Sequence, residues 1–352
     1  MGVDLAGVTE HNISIELEKR GFGVTLMSLG NVNDQVYNHE SLEYTNFPGL
    51  VTLSSARAAE KKIAEIDFQN YALVLIDWRL VQPLSKTING LKIPWCIVDR
   101  GPPAYSGLLN RLQKWYWKRA WEIASESATG GFVVSSEHVN FVRKYAAIEM
   151  EFAVLPAGSN RILPDIKPED PGKTLVLSYI GRLDRRRRVR DIFRLSEELE
   201  RLGINHEINI CGEGNDERRI ARGSEIYEKL FFHGKIANND IEKILAKSHV
   251  GIMTMPDEPI WRMSSPLKLA EYLASGLAII GPKHPGNGSQ MSGECFLLAE
   301  RDWETVCAEE INRLGGQDWE EIRSCAVNLS EGLSWEIVSE RMENYLIEWG
   351  LL

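Results

Sequence analysis

The feature that most constrains this chain is its alternation of short apolar runs with longer segments of helical periodicity. The runs form two series, at 22–29, 71–77, 94–99, 130–136 and 151–156, and then at 174–181, 206–212, 229–234, 249–255 and 277–281. Several are continuously apolar, which is typical of parallel strands covered by helices on both faces. A proline-rich segment, 157–173, separates the two series. The sequence therefore predicts an α/β protein of two Rossmann-like domains, 1–160 and 161–352.

The two predicted parallel sheets face each other across a cleft, where a ligand is expected. The final helix, 334–349, is a candidate to pack back on the N-terminal domain. A turn at Ala6-Gly7-Val8 and a helix at 9–20 follow only five residues. Either those five residues are a short strand, or the usual first strand is missing from this chain.

Composition excludes several classes of protein. The 352 residues carry 40 Lys and Arg against 50 Asp and Glu, a net charge of −10, so no general positive field attracts nucleic acid. No apolar run reaches the roughly 18 residues of a membrane-spanning helix. The five cysteines are scattered, and His, Asp and Glu show no metal-ligand spacing. We expect a cytoplasmic protein without a metal site. Peripheral association with the inner face of the membrane is a further candidate property.

An arginine-rich segment, 180–192, directly follows a predicted strand and opens a helix. Backbone N–H groups and the helix dipole favour an anion at such a position. Arg182 and Arg187 would add planar guanidinium groups suited to phosphate oxygens. The alternative is a solvated basic helix face, because four consecutive arginines cannot all point one way.

A second candidate segment is 264–281, where Ser264 or Ser265 can cap a helix that has Pro266 near its first turn. The first turn, with Leu267 and Lys268, would present free N–H groups to an anion. Lys268 and Glu271 lie three residues apart and share a face, so Glu271 could accept hydrogen bonds from a ribose. The alternative is a surface Lys–Glu pair.

These two segments, with ICGEGNDERR (210–219) and FFHGKI (231–236) between them, resemble the C-terminal domain of retaining GT-B glycosyltransferases that use nucleotide-diphosphate sugars. The resemblance implies that Arg182, Arg187 and Gly7 approach the donor diphosphate. It also implies that Gly212, His233 and Gly234 lie beside the base and that Glu271 binds the ribose. No cofactor or metal is implied beyond the nucleotide sugar, of the UDP or GDP type.

The sequence departs from the family pattern at two places. Met263 stands where the family has the first glutamate of a pair, so the donor sugar is assigned to Glu258, Ser264 or Ser265. Where many relatives have a histidine, this chain has IVDRGPP (97–103). Asp99 is the candidate to stabilise positive charge on the sugar, and Arg100 to bind an anionic acceptor or the donor phosphate. The alternative is an Asp99–Arg100 pair that braces the strand end.

A long predicted helix, 105–127, carries aromatic residues beside lysines. Its apolar stripe is predicted to include Leu112, Tyr116 and Ala120. Trp117 and Trp121 lie off that stripe, near Lys114 and Lys118, and are candidates for contact with a membrane surface or a lipid-linked acceptor. The alternative is a wide helix packed on both sides.

The function predicted from the resemblance is transfer of a sugar, with retention, to a glycan, lipid-linked or small-molecule acceptor. Two alternatives stay open. One is a nucleotide-sugar epimerase or hydrolase of the same fold, for which only Asp99 and Glu258 are candidate acid–base groups. The other is a non-catalytic relative that binds a nucleotide or a protein partner.

Overall fold

The computed structural model describes residues 8–29, 36–45, 51–90, 92–103, 108–160 and 168–352. The chain divides into two compact units, the first made of residues 1–157 with 335–352 and the second of residues 158–334. The boundary thus follows Ala157 rather than residue 160, and the last helix groups with the first unit.

The described residues form twelve strands and fourteen α-helices. The strands are β1 (Thr25–Leu29), β2 (Asn38–Leu42), β3 (Val74–Asp77), β4 (Trp95–Val98), β5 (Gly130–Val133), β6 (Phe152–Val154), β7 (Leu175–Ile180), β8 (His206–Cys211), β9 (Leu230–Gly234), β10 (Val250–Ile252), β11 (Ala278–Pro282) and β12 (Phe296–Ala299). The helices are α1 (Val8–Lys19), α2 (Val51–Glu65), α3 (Trp78–Val81), α4 (Ser85–Gly90), α5 (Leu108–Ser127), α6 (Ser136–Ala146), α7 (Asp191–Arg201), α8 (Glu217–Ile226), α9 (Asn238–Ala246), α10 (Pro259–Arg262), α11 (Leu267–Ala274), α12 (Trp303–Arg313), α13 (Gly316–Glu331) and α14 (Trp335–Glu348).

The second unit is a doubly wound sheet of six parallel strands in the order β12-β11-β10-β7-β8-β9. The chain starts at β7, builds outward to β9, and returns to the other side of β7 with β10. A doubly wound sheet binds ligands outside the carboxyl ends of its strands at such a switch point. The place to look for chemistry in this unit is therefore the ends of β7 and β10.

Helices bury both faces of this sheet, which explains the continuously apolar strand sequences. Leu175, Leu177 and Tyr179 on one face of β7 are at most 1% exposed, and Ser178 on the other face is fully buried. In α7, Ile192, Leu195, Ser196 and Leu199 recur at helical spacing and are all buried.

The first unit contains a four-stranded parallel sheet, β3-β4-β5-β6, and a separate parallel pair, β1-β2. Helix α14 completes this unit at the other end of the chain. Trp349, just after α14, covers Gly130, where an added Cβ would lie 2.6 Å from the indole ring. The Arg20 Nε donates to Glu343 at 2.6 Å, which links the end of α1 to α14.

The ten predicted strands are all present, and two strands were missed. β2 (Asn38–Leu42) has only one fully buried side chain, Leu42, and β12 (Phe296–Ala299) is short and at the sheet edge. Neither gives an alternating or continuous apolar run long enough to recognise. Residues 1–7 lie outside the described residues, and the predicted short or missing first strand falls in that segment.

Candidate functional site

Three glycines line the carboxyl ends of neighbouring strands in the second unit. Gly181, Gly212 and Gly234 end or follow β7, β8 and β9, and all three have positive φ. The Gly212 N–H donates to Gly234 O at 2.8 Å, and the Gly181 N–H donates to Cys211 O at 3.0 Å. A Cβ at Gly212 would lie only 1.8 Å from Gly181 O. The glycine at 212 is thus required for backbone packing, whatever ligand lies above it.

Lys268, in the first turn of α11, is a buried cation at this switch point. Its residue is only 5% exposed, and its Nζ lies 4.1 Å from the centroid of the Tyr179 ring. Among the described residues the ammonium has no hydrogen-bond partner. Burial, with the nearby charge of Arg187, lowers the pKa of Lys268 well below its usual range, and Glu271 opposes this shift.

Arg187 lies close to Lys268. Its guanidinium lies over the Trp261 ring, 5.0 Å from the centroid, and Nη1 lies 3.8 Å from Met255 Sδ. The Arg187 Nε is buried without a hydrogen-bond partner among the described residues. Two cations are thus held side by side by aromatic and thioether groups, an arrangement that favours a bound anion.

The start of α11 adds backbone donors to this pair of cations. Pro266 is the N-cap and provides no side-chain hydrogen bond. The N–H groups of Leu267 and Lys268 fall in the first turn, where a helix leaves its donors without intrahelical partners. The predicted residues Leu267, Lys268 and Arg187 therefore lie together, and Gly181 adjoins them, since its Cβ position is 3.8 Å from Lys268 Nζ.

Three further polar side chains lie around Met255, close to Arg187, and were not recognised in the sequence. The Trp261 Nε1, His284 Nδ1 and Asn287 Oδ1 atoms are buried without hydrogen-bond partners among the described residues. His284 Nε2 and Asn287 Nδ2 both contact Met255 O, at 2.9 and 3.2 Å. The position of HPGN (284–287), one residue after the end of β11, was the available signal, because strand ends in such a sheet carry ligand-binding groups.

The remaining predicted residues of the second unit lie at or near the surface. The Arg182 side chain is 59% exposed and pairs with Asp184 at 3.1 Å, so it does not join Arg187. The exposed His233 has its Nε2 2.7 Å from Asn209 Oδ1. Glu258 is the exposed N-cap of α10, and the Ser264 hydroxyl donates to Trp261 O at 2.7 Å.

The sequence also singled out Met263, Ser265, Glu271 and Gly7. Met263 is buried, whereas Ser265 and Glu271 are half-buried and each has polar or electrostatic partners. Gly7 lies outside the described residues.

In the first unit, Asp99 is a fully buried anion. Its Oδ2 accepts from Trp117 Nε1 at 2.6 Å and Trp121 Nε1 at 3.0 Å, and lies 3.3 Å from His138 Nε2. Its Oδ1 accepts from the Gly101 N–H at 2.9 Å. Burial alone would raise the pKa of Asp99, but the charge of His138 and these hydrogen bonds lower it. The Asp99 carboxylate thus supports the turn after β4, and its catalytic role stays a prediction.

Arg100 does not pair with Asp99 in the expected brace. Its Nη1 donates to Leu155 O at 2.8 Å, and its Nη2 donates to Thr9 Oγ1 at 3.2 Å. Burial lowers the pKa of Arg100, against the opposing charges of Glu10 and Asp99. Arg100 thus joins the turn after β4 to the start of α1 and the end of β6.

The predicted orientation of α5 is right at Ala120, which is fully buried, and wrong at Leu112 and the two tryptophans. Trp117 and Trp121 are buried, since Asp99 accepts their N–H groups, while Leu112 of the predicted apolar stripe is 62% exposed. Lys114 and Lys118 are exposed on the opposite face. A membrane contact through Trp117 and Trp121 is therefore excluded.

The described residues contain no group of three or more His, Cys, Asp or Glu side chains arranged to hold a metal ion. Within the described part of the chain, every helix is too short or too polar to cross a bilayer.

Comparison with known proteins gives one family and a set of structures of the same fold. Residues 174–316 match the family described as Glycosyl transferases group 1. Sucrose-phosphate synthase from Thermosynechococcus elongatus is 14% identical, with a TM-score of 0.76 over 97% of this chain and 92% of that one. WaaG, a glycosyltransferase involved in lipopolysaccharide biosynthesis, is 13% identical, with a TM-score of 0.69 over 98% and 96%.

HepE from Anabaena, solved with UDP-glucose, is 13% identical, with a TM-score of 0.68 over 99% of this chain and 98% of that one. No curated protein sequence matches the chain. The chain therefore has the GT-B fold, and its residues 174–316 match the family described as Glycosyl transferases group 1.

Proposed function

We propose that the protein is a glycosyltransferase that moves a sugar from a nucleotide-diphosphate sugar to an acceptor hydroxyl. The observation that carries the proposal is the buried Lys268 ammonium, with the half-buried Arg187 guanidinium near it, beside the uncapped start of α11. Burying an ammonium beside a second positive charge is costly unless an anion compensates them. A diphosphate would supply that anion, and its oxygens would accept from both side chains and from the first turn of α11.

The same arrangement explains how transfer would be promoted. As the bond between the sugar C1 and the diphosphate breaks, negative charge grows on the leaving oxygens. Donors that are already oriented and desolvated stabilise that charge more strongly than water does. Lys268 suits this task, because the arriving anion restores the charged form that burial disfavours.

The first experiment is a thermal-shift panel of UDP, GDP, ADP and CDP against wild type, Lys268→Met and Lys283→Met. UDP comes first, because HepE and the pneumococcal transferase GtfA were solved with UDP-containing ligands. We expect one nucleotide to stabilise wild type and Lys268→Met to bind it about tenfold or more weakly. Lys283 is a matched control, half-exposed and 3.5 Å from Glu300 in the same unit. Equal binding by wild type and Lys268→Met would contradict the assignment.

The acceptor and the stereochemistry are further parts of the proposal. The resemblance supports retention and a glycan or lipid-linked acceptor, and two side-chain cations at the candidate site support stabilisation of the leaving group without a metal. We expect turnover to survive excess EDTA. The anomeric proton of the first product, read by NMR, should keep the donor's configuration, and an inverted product would contradict this part.

A nucleotide-binding role without transfer is the second candidate function. It is favoured by Met263, a buried thioether where the family has a carboxylate for the donor sugar. Binding of a nucleotide with no transfer to any acceptor and no hydrolysis of the matching nucleotide sugar would move this candidate ahead.

A further inference from the structure

The outward face of α5 combines exposed apolar side chains with clustered positive charge. Leu112 is 62% exposed and Trp115 57% exposed. Around them, every basic residue between positions 111 and 119 is exposed, namely Arg111, Lys114, Lys118 and Arg119. We call these six residues the basic face of α5. At 100° and 1.5 Å per residue they cover about 160° of the helix circumference and about 12 Å of its length.

The buried side of α5 fixes which residues point outward. Trp117 and Trp121 donate to the buried Asp99 carboxylate, at 2.6 and 3.0 Å, and Ala120 between them is fully buried. A rotation of the helix that covered Trp115 would break both hydrogen bonds and leave a buried anion without its donors. The exposure of Leu112 and Trp115 is therefore a consequence of the core.

The charge along the basic face is concentrated at its N-terminal half. No acidic residue occurs between 108 and 121, in a chain whose net charge is −10. Arg111 and Lys114 have no ion-pair partner among the described residues. Lys118 and Arg119 share Glu122 one turn later, at 4.0 and 3.0 Å. An anionic surface would be attracted to the first two turns and repelled where Glu122 and Glu126 begin.

We propose that the basic face of α5 docks the protein on a bilayer surface containing anionic lipids. Basic side chains near such a surface are attracted to the headgroups, and tryptophan prefers the boundary between headgroups and acyl chains. Trp115 and Leu112 enter that boundary, while the four cations contact headgroup phosphates. Nucleic acid could use the same cations, but it offers no apolar layer for Leu112, so the lipid surface fits the whole face.

Of the chain's ten tryptophans, all within the described residues, Trp115 alone is exposed. An exposed tryptophan ringed by cations is typical of an interaction surface. The proposal concerns only the first unit, and it does not depend on whether the second unit binds a nucleotide sugar.

The test is flotation of the full chain with vesicles of phosphatidylcholine alone or mixed equally with phosphatidylglycerol. We expect binding to the anionic vesicles only, weakening as salt rises. The double variant Arg111→Glu and Lys114→Glu should lose at least about tenfold in partitioning to the anionic vesicles. Each basic side chain near such a surface strengthens binding roughly fivefold, and the variant removes two of them. Leu112→Ser with Trp115→Ser should also lose binding while keeping every charge.

The matched control is Arg218→Glu with Arg222→Glu, which makes the same change of charge on the exposed side of α8. This control should bind the anionic vesicles like wild type, and all variants should keep the wild-type Tm because the altered side chains are exposed. The proposal would be overturned if the control lost as much binding as the Arg111/Lys114 variant, or if wild type bound neutral and anionic vesicles equally. Binding of wild type to RNA but to neither kind of vesicle would also overturn it.

Discussion

At the scale of single residues, Lys268 is where stability and binding oppose each other. Its ammonium lies buried near a second cation, Arg187, and contacts the Tyr179 ring without a hydrogen-bond partner among the described residues. Burying an ammonium this way lowers the stability of the free protein, and the same energy becomes available when an anion arrives. A residue that serves a ligand in this way can be recognised because it lowers the free energy of unfolding of the protein without the ligand.

Lys268→Met should therefore leave the free protein as stable as wild type or more stable, by about 1–3 kcal/mol, because the thioether fills the same space without a charge. Chemical denaturation gives the free energy of unfolding directly. If Lys268→Met had a lower free energy of unfolding than wild type, the ammonium would stabilise the fold, which would contradict this prediction.

The lowered pKa of Lys268 also predicts how pH acts on nucleotide binding. The charged form is disfavoured in the free folded protein and favoured beside a diphosphate, so binding takes up a proton once the pH exceeds the lowered pKa. Affinity for the nucleotide should fall as the pH rises from that value toward 10.5, the ordinary lysine value. Calorimetric titrations should show this fall in wild type and a flatter profile in Lys268→Met.

The same lowered pKa has a consequence for the free protein. With the folded pKa below the unfolded one, the unfolded chain binds more protons between the two values, so the stability of wild type rises with pH in that window. The advantage of Lys268→Met should shrink over the same range. An advantage that does not depend on pH would contradict the assignment of this pKa.

Asp99 makes the opposite case, a buried charge that the fold requires. Asp99→Asn removes the negative charge and turns an amide N–H toward indole donors, so we expect a loss of about 3–5 kcal/mol in the free energy of unfolding. Asp77→Asn is the control, since Asp77 is partly exposed and paired with Arg79, and it should lose about 1 kcal/mol or less. Similar losses in both variants would refute the structural role.

Acid adds a second readout for Asp99. Because the pKa of Asp99 is lowered in the folded protein, its stabilising contribution is present above the ordinary value of 3.8 and disappears as the pH falls through the folded value. The gap between wild type and Asp99→Asn should therefore narrow in acid.

At the scale of elements, the turns after β7 and β8 touch through their backbones. Gly212→Ala would bring a Cβ to 1.8 Å from Gly181 O at a φ of +147°, so the turns must separate. We expect a loss above about 3 kcal/mol in the free energy of unfolding, with weaker nucleotide binding. Gly203→Ala is the control, because its φ of +74° is strained but nothing lies within 4 Å, and it should lose only about 1–2 kcal/mol.

The strands and most helices could be predicted from sequence because hydrophobic periodicity is a local property. β7 and α7 have both the length and the apolar pattern that the rule needs, whereas β2, with the sequence NHESL, has neither. The orientation of α5 could not be predicted, because two tryptophans are buried only where an acceptor meets their N–H groups. That acceptor, Asp99, is on another element, and a pattern within one helix carries no information about it.

The residues of the candidate site likewise divide into those whose proximity the sequence predicts and those whose proximity depends on packing between loops. Arg187 and Lys268 follow strand ends and helix starts that the sequence marks, so their proximity could be predicted. Arg182 looked equivalent to Arg187, but Asp184 holds it at the surface. Trp261 and His284 come together only through contacts around Met255, which depend on the packed loops after β10 and β11.

At the scale of the whole molecule, the return of α14 to the first unit ties its two sequence segments together. Trp349→Ala would uncover Gly130 and Phe132, whose ring lies 5.2 Å from the indole. We expect the first unit to lose about 2–3 kcal/mol in stability, below the 3–5 typical of a fully buried tryptophan. Trp115→Ala, at the exposed position on α5, should change stability little.

Limited proteolysis followed by mass spectrometry can locate the effect of Trp349→Ala. New cleavage should fall within 1–157 and spare 158–334. Cleavage spread equally over both units would mean that α14 supports the second unit as well.

That return of the chain also dictates an order of assembly during synthesis. The second unit is continuous, so it can fold as soon as residue 334 has left the ribosome. The first unit is begun earlier but lacks α14 until residues 335–352 have been made. The unit whose synthesis begins first is therefore completed last, and the surface that α14 covers stays exposed while residues 158–334 are made.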